Sequence, residues 1–261
     1  MLRALLNFMI ASMIFFPVRD FSMHPEDFGL KAEDAWCETE DGVRIHGWFL
    51  PAKTGFPEGL SLCLLLFHGN ADNISIRLPK AQEWVKRGIS VFLLDYRGYG
   101  KSEGKIQAGG DLYQDGKAAL KWLLDQKNYA SSQVILYGES IGAVPAIELA
   151  VQEKFKAIIL EAPFTSLKEL AKKHYGLAPD FLLKDFLMDN GSKISHLKAP
   201  LFILHGTEDE VVPFEMGRRL FNMAPQPKQF LAIPKAHHND ISSVGGEDFF
   251  EKPFRFTSSR T

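Results

Sequence analysis

The sequence predicts an α/β fold, a mostly parallel sheet flanked by helices with a small partial cap. Three observations predict it. Short continuous apolar runs alternate with stretches of helical hydrophobic spacing along most of the chain. The 261 residues are 46% hydrophobic, enough for one large core and too apolar for a disordered chain. A Gly-x-Ser-x-Gly pentapeptide, Gly138-Glu139-Ser140-Ile141-Gly142, joins one such run to one such helix.

The first element is an apolar segment. Residues 1–16 carry only Arg3, Asn7 and Ser12 as polar interruptions. Residues 4–16 would give about 20 Å of helix against a hydrocarbon core of about 30 Å, so a simple membrane span is not expected. The charged start resembles a signal peptide, but Pro17-Val18-Arg19-Asp20 offers no small-residue cleavage site. Residues 1–20 therefore read as an anchor on or in a membrane, a helix packed on the domain or a second subunit, or part of a longer anchor. Residues 21–261 read as one domain, since no repeat, low-complexity tract or hydrophilic linker divides them.

Within that domain, residues 33–39 and 43–50 read as a hairpin about Asp41-Gly42. Residues 51–59 read as a loop, with two prolines and two glycines. A doubly buried strand follows at 62–67. A helix follows at 74–87, with Ile74, Leu78, Ala81 and Val85 on one face and Gly88 as its stop. Strand 89–94, helix 112–124, strand 133–137, helix 141–153 and strand 156–160 continue the alternation, which resumes with strand 200–204, helix 214–223 and strand 229–233. The insertion at about 164–198 holds two short helical patterns, 168–175 and 181–188. Because ligands bind beyond the carboxyl ends of parallel strands, this insertion is expected to roof the site as a small cap.

Several functions are excluded or unsupported. Thirty Lys+Arg against 32 Asp+Glu give a net charge of −2 with no basic clustering, so no nucleic acid partner is expected. Cys37 and Cys63 cannot make a disulfide framework or a four-ligand zinc site, and Cys63 reads as a buried inert thiol. The run 98–104 fails as a nucleotide loop because Asp95 and Glu103 stand where glycines are required. No H-E-x-x-H occurs, and no cofactor or metal is expected.

The serine carries the chemistry. A turn this tight strains the backbone at Ser140 and leaves no room for side chains at Gly138 and Gly142. It sets the hydroxyl at a helix N-terminus, where the N–H of Ile141 faces a developing oxyanion. Serine needs a base and an orienting acid, in the order Ser, Asp or Glu, His. Asp209 stands on the loop after strand 200–204, with Glu208 and Glu210 as its solvent-facing competitors. His237 and His238 leave the last strand. The second oxyanion donor is expected from the N–H of Asn70 after strand 62–67, with Ala71 as substitute, and His68 is expected to support that loop.

With these landmarks the chain resembles the α/β-hydrolase superfamily, in particular cap-poor serine hydrolases such as the α/β-hydrolase-domain depalmitoylating thioesterases and related bacterial esterases. The resemblance rests on His68-Gly69-Asn70-Ala71, the Asp95-to-Gly104 run, the Ser140 elbow, Glu161-Ala162-Pro163-Phe164-Thr165-Ser166, the Asp209 loop and His238-Asn239-Asp240. The family's H-N-D ending implies His238 as base over His237. His237 stands where many relatives have a small residue, which bears on the pH optimum, and the tail after Asp240 has no match.

The reading that follows is a serine hydrolase with Ser140, Asp209 and His238 as catalytic residues and Asn70 and Ile141 as oxyanion donors. It would cleave small carboxylic esters of short to medium acyl chains, with thioesters close behind. Phe164, Tyr175, Phe181 and Phe186 are expected to line the acyl pocket, and no pocket charge is assigned. Two alternatives stand: a membrane-associated acyl-protein or lipid thioesterase using residues 1–16, and a non-catalytic binding protein of the same fold. Oligomeric state and compartment are not legible.

Overall fold

Strands that are apolar on both faces need helices on both faces of their sheet, and this chain supplies them. The computed structural model describes residues 2–52, 61–176 and 179–258. Most of the expected 51–59 loop lies outside those residues. Eight strands form one sheet: β1 (Glu33–Glu38), β2 (Arg44–Leu50), β3 (Cys63–Phe67), β4 (Ser90–Leu94), β5 (Val134–Glu139), β6 (Ala157–Glu161), β7 (Leu201–Gly206) and β8 (Lys228–Ile233). Their spatial order is β8-β7-β6-β5-β3-β4-β2-β1. β2 is antiparallel to both β1 and β4, whereas the pairs from β4 through β8 are parallel.

Alternation within one run explains the two cores. In β3, Cys63, Leu65 and Phe67 join one apolar cluster, while Leu64 and Leu66 join the other. The first cluster receives α1 (Leu2–Ile14), α3 (Gly110–Lys127), α4 (Ala143–Gln152) and α7 (Phe214–Met223) through Ile10, Leu120, Ile147 and Leu220. The second receives α2 (Leu78–Lys86) and α8 (Ile241–Ser258) through Trp84, Phe249 and Phe256. The helix expected at 74–87 divides into a 3-10 turn, Ile74–Arg77, and α2. Asn73 caps the turn by accepting from Ser75 N at 2.9 Å, and Pro79 sits in the first turn of α2.

The insertion contains α5 (Leu167–Tyr175), the short α6 (Asp180–Leu183) and a 3-10 turn, Lys184–Phe186. The second helix expected there is therefore shorter than 181–188. Met188 leaves it to accept from Leu167 N at 3.1 Å, closing the insertion on itself.

α1 lies against this insertion. Arg3 Nε and Asn7 Nδ2 donate to Asp185 Oδ2 at 2.7 and 2.8 Å, and Phe15 packs on Phe186 with ring centroids 6.5 Å apart. Its outward face leaves Leu5, Phe8, Met9 and Met13 exposed. Among the described residues, no helix is long and apolar enough to cross a membrane. Beyond α1 the chain pairs Phe16–Pro17 in parallel with Ala71–Asp72.

Candidate active site

The carboxyl end of β5 carries Ser140 in a left-handed backbone conformation, φ +51°, which only a tightly held turn imposes on a serine. The flanking glycines explain how the turn closes. A Cβ at Gly138 would sit 2.6 Å from Gly142 O, and one at Gly142 would run into Phe67 O on the neighbouring β3. Residues Ser140–Gly142 make a 3-10 turn that leads into α4, so the buried Ile141 presents its N–H at a helix start.

Asp209 and His238 come from the loops that leave β7 and β8, which pair in parallel along their length. His238 Nδ1 lies 2.8 Å from Asp209 Oδ2, so the carboxylate holds the proton on Nδ1 of a ring that lines the cleft. Asp209 Oδ1 accepts from Val211 N and Val212 N at 2.9 and 2.7 Å. Burial pushes its pKa up, but hydrogen bonds with His205 and His238, the charge of His238 and the Val212 amide outweigh it, and the carboxyl is held well below its usual range. His205 is wholly buried behind Asp209, its Nε2 3.4 Å from Oδ2, and sequence reasoning did not single it out.

His237 faces away. It is exposed, its Nδ1 stands 3.0 Å from Glu210 Oε2, and that hydrogen bond leads the groups that raise its pKa. Of the two adjacent imidazoles, His238 alone meets Asp209. Asp240 fixes the loop by accepting from His237 N at 2.7 Å.

The loop after β3 is held from an unexpected quarter. Asn70 Nδ2 donates to Ile14 O at 2.8 Å, and Asn70 O accepts from Phe16 N at 3.0 Å and Tyr99 Oη at 2.7 Å. The segment that reads as an anchor or a packed helix thus buttresses the loop expected to donate to the oxyanion. His68 beneath it is fully buried, donates from Nδ1 to Gly69 O at 2.7 Å, and is pushed down to about 3 by burial, aided by the charge of Arg77. Asp95 is equally buried; it accepts from Ile74 N at 2.9 Å, and burial pushes its pKa up to about 8.

Ser140, His238, Gly69 and Asn70 line one cleft of about 550 Å³. The same cleft is lined by charged side chains, to which sequence reasoning assigns no pocket role. Arg77 Nε donates to Glu139 Oε2 at 2.9 Å, and Lys80 bridges Glu139 and Glu161. Tyr137 Oη donates to Glu161 Oε2 at 2.7 Å. All four charged side chains line the cleft and are mostly buried.

The four aromatic residues expected at the acyl pocket do not line it. Phe164 and Phe186 are core residues, while Tyr175 and Phe181 are 72% and 68% exposed. The first two pack the insertion onto the core, as aromatic residues at helical spacing commonly do, while the other two face solvent. Among the described residues, no group of three or more His, Cys, Asp or Glu is placed to hold a metal ion.

Comparison with known proteins agrees with this architecture. The serine aminopeptidase, S33, family profile matches residues 61–188. An uncharacterized protein of Mycobacterium tuberculosis is 35% identical over 226 residues, covering 85% of this chain and 78% of its own. The α/β hydrolase domain-containing protein WAV2 of Arabidopsis thaliana is 31% identical over 262 residues, covering 91% and 82%. Among solved structures, the Pyrococcus furiosus esterase Pf2001 superposes with a TM-score of 0.77 at 24% identity, covering 94% of this chain and 99% of that one. The class defined by fold and relatives is a hydrolase built on a mostly parallel α/β sheet. The chain belongs to the α/β-hydrolase superfamily, as a serine hydrolase of that fold.

Proposed function

We propose that the protein hydrolyses carboxylic esters of short to medium acyl chains through an acyl-enzyme on Ser140. The observation that carries this reading is the 2.8 Å contact between His238 Nδ1 and Asp209 Oδ2, in a cleft lined by both His238 and Ser140. His238 Nε2 takes the hydroxyl proton as Ser140 Oγ attacks the ester carbonyl, and Asp209 stabilises the imidazolium. The N–H groups of Asn70 and Ile141 receive the oxyanion, each worth roughly 10²–10³ in rate in comparable sites. His238 then protonates the leaving alcohol, and a water activated by the same imidazole releases the acid. The strained Ser140 backbone, the fixed Asn70 loop and the likeness to an esterase support this assignment.

Its test is hydrolysis of 4-nitrophenyl esters from acetate to palmitate by wild type, Ser140→Ala and His238→Ala. Turnover with a short or medium optimum, lost in both variants, is expected. A folded wild type inert across the series removes the esterase assignment and favours a binding protein.

A second reading, a membrane-associated acyl-protein or lipid thioesterase, is favoured by the exposed apolar face of α1, with Phe8 beneath the Lys105 ammonium at 5.7 Å. It predicts co-sedimentation with anionic vesicles that Phe8→Glu abolishes, together with a long-chain thioester optimum. A wild type that stays in the supernatant and prefers short oxygen esters discards it.

A further inference from the structure

The charged lining of the Ser140 cleft holds more hydrogen-bond donors than its own carboxylates use. Glu139 Oε1 is taken by Lys80 and Oε2 by Arg77, while Glu161 Oε2 is taken by both Lys80 and Tyr137. Although burial pushes Glu139 up, the charges of Lys80 and Arg77 hold it down at about 2, so it is ionised and paired. Among the described residues, Glu161 Oε1 alone of these carboxylate oxygens has no donor.

Arg77 is the reverse case. Its only hydrogen bond among the described residues runs from Nε to Glu139, and Nη1 and Nη2 donate to no protein acceptor. Neither nitrogen is one of the buried unpartnered atoms, so both meet the solvent of the cleft that Arg77 lines. A guanidinium edge offering two parallel N–H groups matches a carboxylate.

Its position sets it beside the reaction. A Cβ on Gly69 would lie 3.3 Å from Arg77 Nη2 and 4.0 Å from Ser140 Cβ, so guanidinium and serine flank the same bare backbone. The Nε–Glu139 bond also ties the guanidinium to the residue preceding Ser140, which fixes its edge relative to the nucleophile.

We infer that Arg77 forms an anion subsite of the Ser140 cleft, accepting the free carboxylate of a substrate that is the monoester of a dicarboxylic acid. This rests on the esterase reading and narrows its substrate class. The carboxylate binds across Nη1 and Nη2 while the ester carbonyl stands at Ser140, so affinity for the acid end orients the scissile bond.

Three 4-nitrophenyl esters of equal chain length test it: hexanoate, the adipate monoester and 6-aminohexanoate. Wild type is expected to favour the adipate monoester over hexanoate by about tenfold or more in kcat/KM, the scale of a charge-assisted bidentate contact. Arg77→Gln is expected to erase that ratio. Arg77→Lys, which keeps the charge beside Glu139 but loses the fork, is expected to retain part of it. A merely structural Arg77 lowers all three rates together and leaves the ratio unchanged, which overturns the subsite. Preference for 6-aminohexanoate also overturns it, in favour of Glu161 Oε1 as an amine acceptor.

Binding separates the two readings. Calorimetry of monomethyl adipate with Ser140→Ala, and with the same chain carrying Arg77→Gln or Arg77→Lys, reads the subsite without turnover. Arg77-dependent binding with all three esters inert keeps the subsite and removes the esterase reading. Turnover without Arg77-dependent binding keeps the esterase and removes the subsite.

Discussion

The two flanks of Ser140 are built from opposite materials. On one side, loops leaving β7 and β8 bring a single imidazole to a single carboxylate, with backbone amides saturating the rest of Asp209. On the other, helix-borne Arg77 and Lys80 lock onto Glu139 and Glu161 at the ends of β5 and β6. The first flank engages only Nδ1 of its imidazole with Asp209. The second pairs its carboxylates with Lys80, Arg77 and Tyr137 and leaves the Nη1–Nη2 edge of Arg77 without a protein acceptor among the described residues. A site can therefore hold three carboxylates near one serine while only one of them, Asp209, meets His238.

Substitutions on the two flanks should separate rate from stability. Asp209→Asn is expected to lower kcat by about 10³–10⁴ while leaving a folded protein, because the amide no longer fixes the imidazole tautomer. Steady-state ester kinetics with a circular dichroism control check it. Lys80→Met, on the other flank, should act mainly on folding. Removing the cation that bridges two buried carboxylates is expected to cost about 3–5 kcal/mol, read by urea denaturation.

Asp95, under the oxyanion loop, sharpens the contrast through pH. Its folded pKa is raised to about 8 by burial, so the unfolded chain releases its proton first. The stability tied to the protonated carboxyl is full below about pH 4 and drains away as pH rises toward about 8. Asp95→Asn mimics the protonated form and lacks that slope. Its stability relative to wild type is expected to rise by about 3–4 kcal/mol between pH 5 and pH 8, measured by denaturation at each pH. The smallest effect should come from His237→Ala. That ring is 53% exposed and paired with Glu210, so kcat/KM is expected to stay within about twofold, whereas a large loss would make it part of the base.

How much of this was legible follows from how local each constraint is. The elbow was readable because its five-residue pattern is contiguous, with Gly138 demanded by a collision inside the turn and Gly142 by one with Phe67 on the neighbouring strand, and the alternating runs announced the sheet. The choice of His238 needed the H-N-D resemblance, since nothing within the dipeptide distinguishes two imidazoles. The charged wall was illegible. Arg77 and Lys80 lie on a helix where cations are usually solvated, and their partners are 62 and 81 residues away. The clamp on Asn70 was hidden similarly, because an apolar leader says nothing of a carbonyl at Ile14 meeting an amide 56 residues on. The aromatic insertion misled for a third reason. Phe164 and Phe186 fill the core that attaches the insertion, and the remaining two rings face solvent.

The central claim is that Ser140 is a nucleophile activated by His238. Labelling of the folded protein with a fluorophosphonate, followed by peptide mass mapping, tests it most directly. The account predicts one phosphonyl adduct, on Ser140, absent in Ser140→Ala and severely slowed in His238→Ala. A folded wild type that carries no adduct, or carries it on another residue, would contradict it.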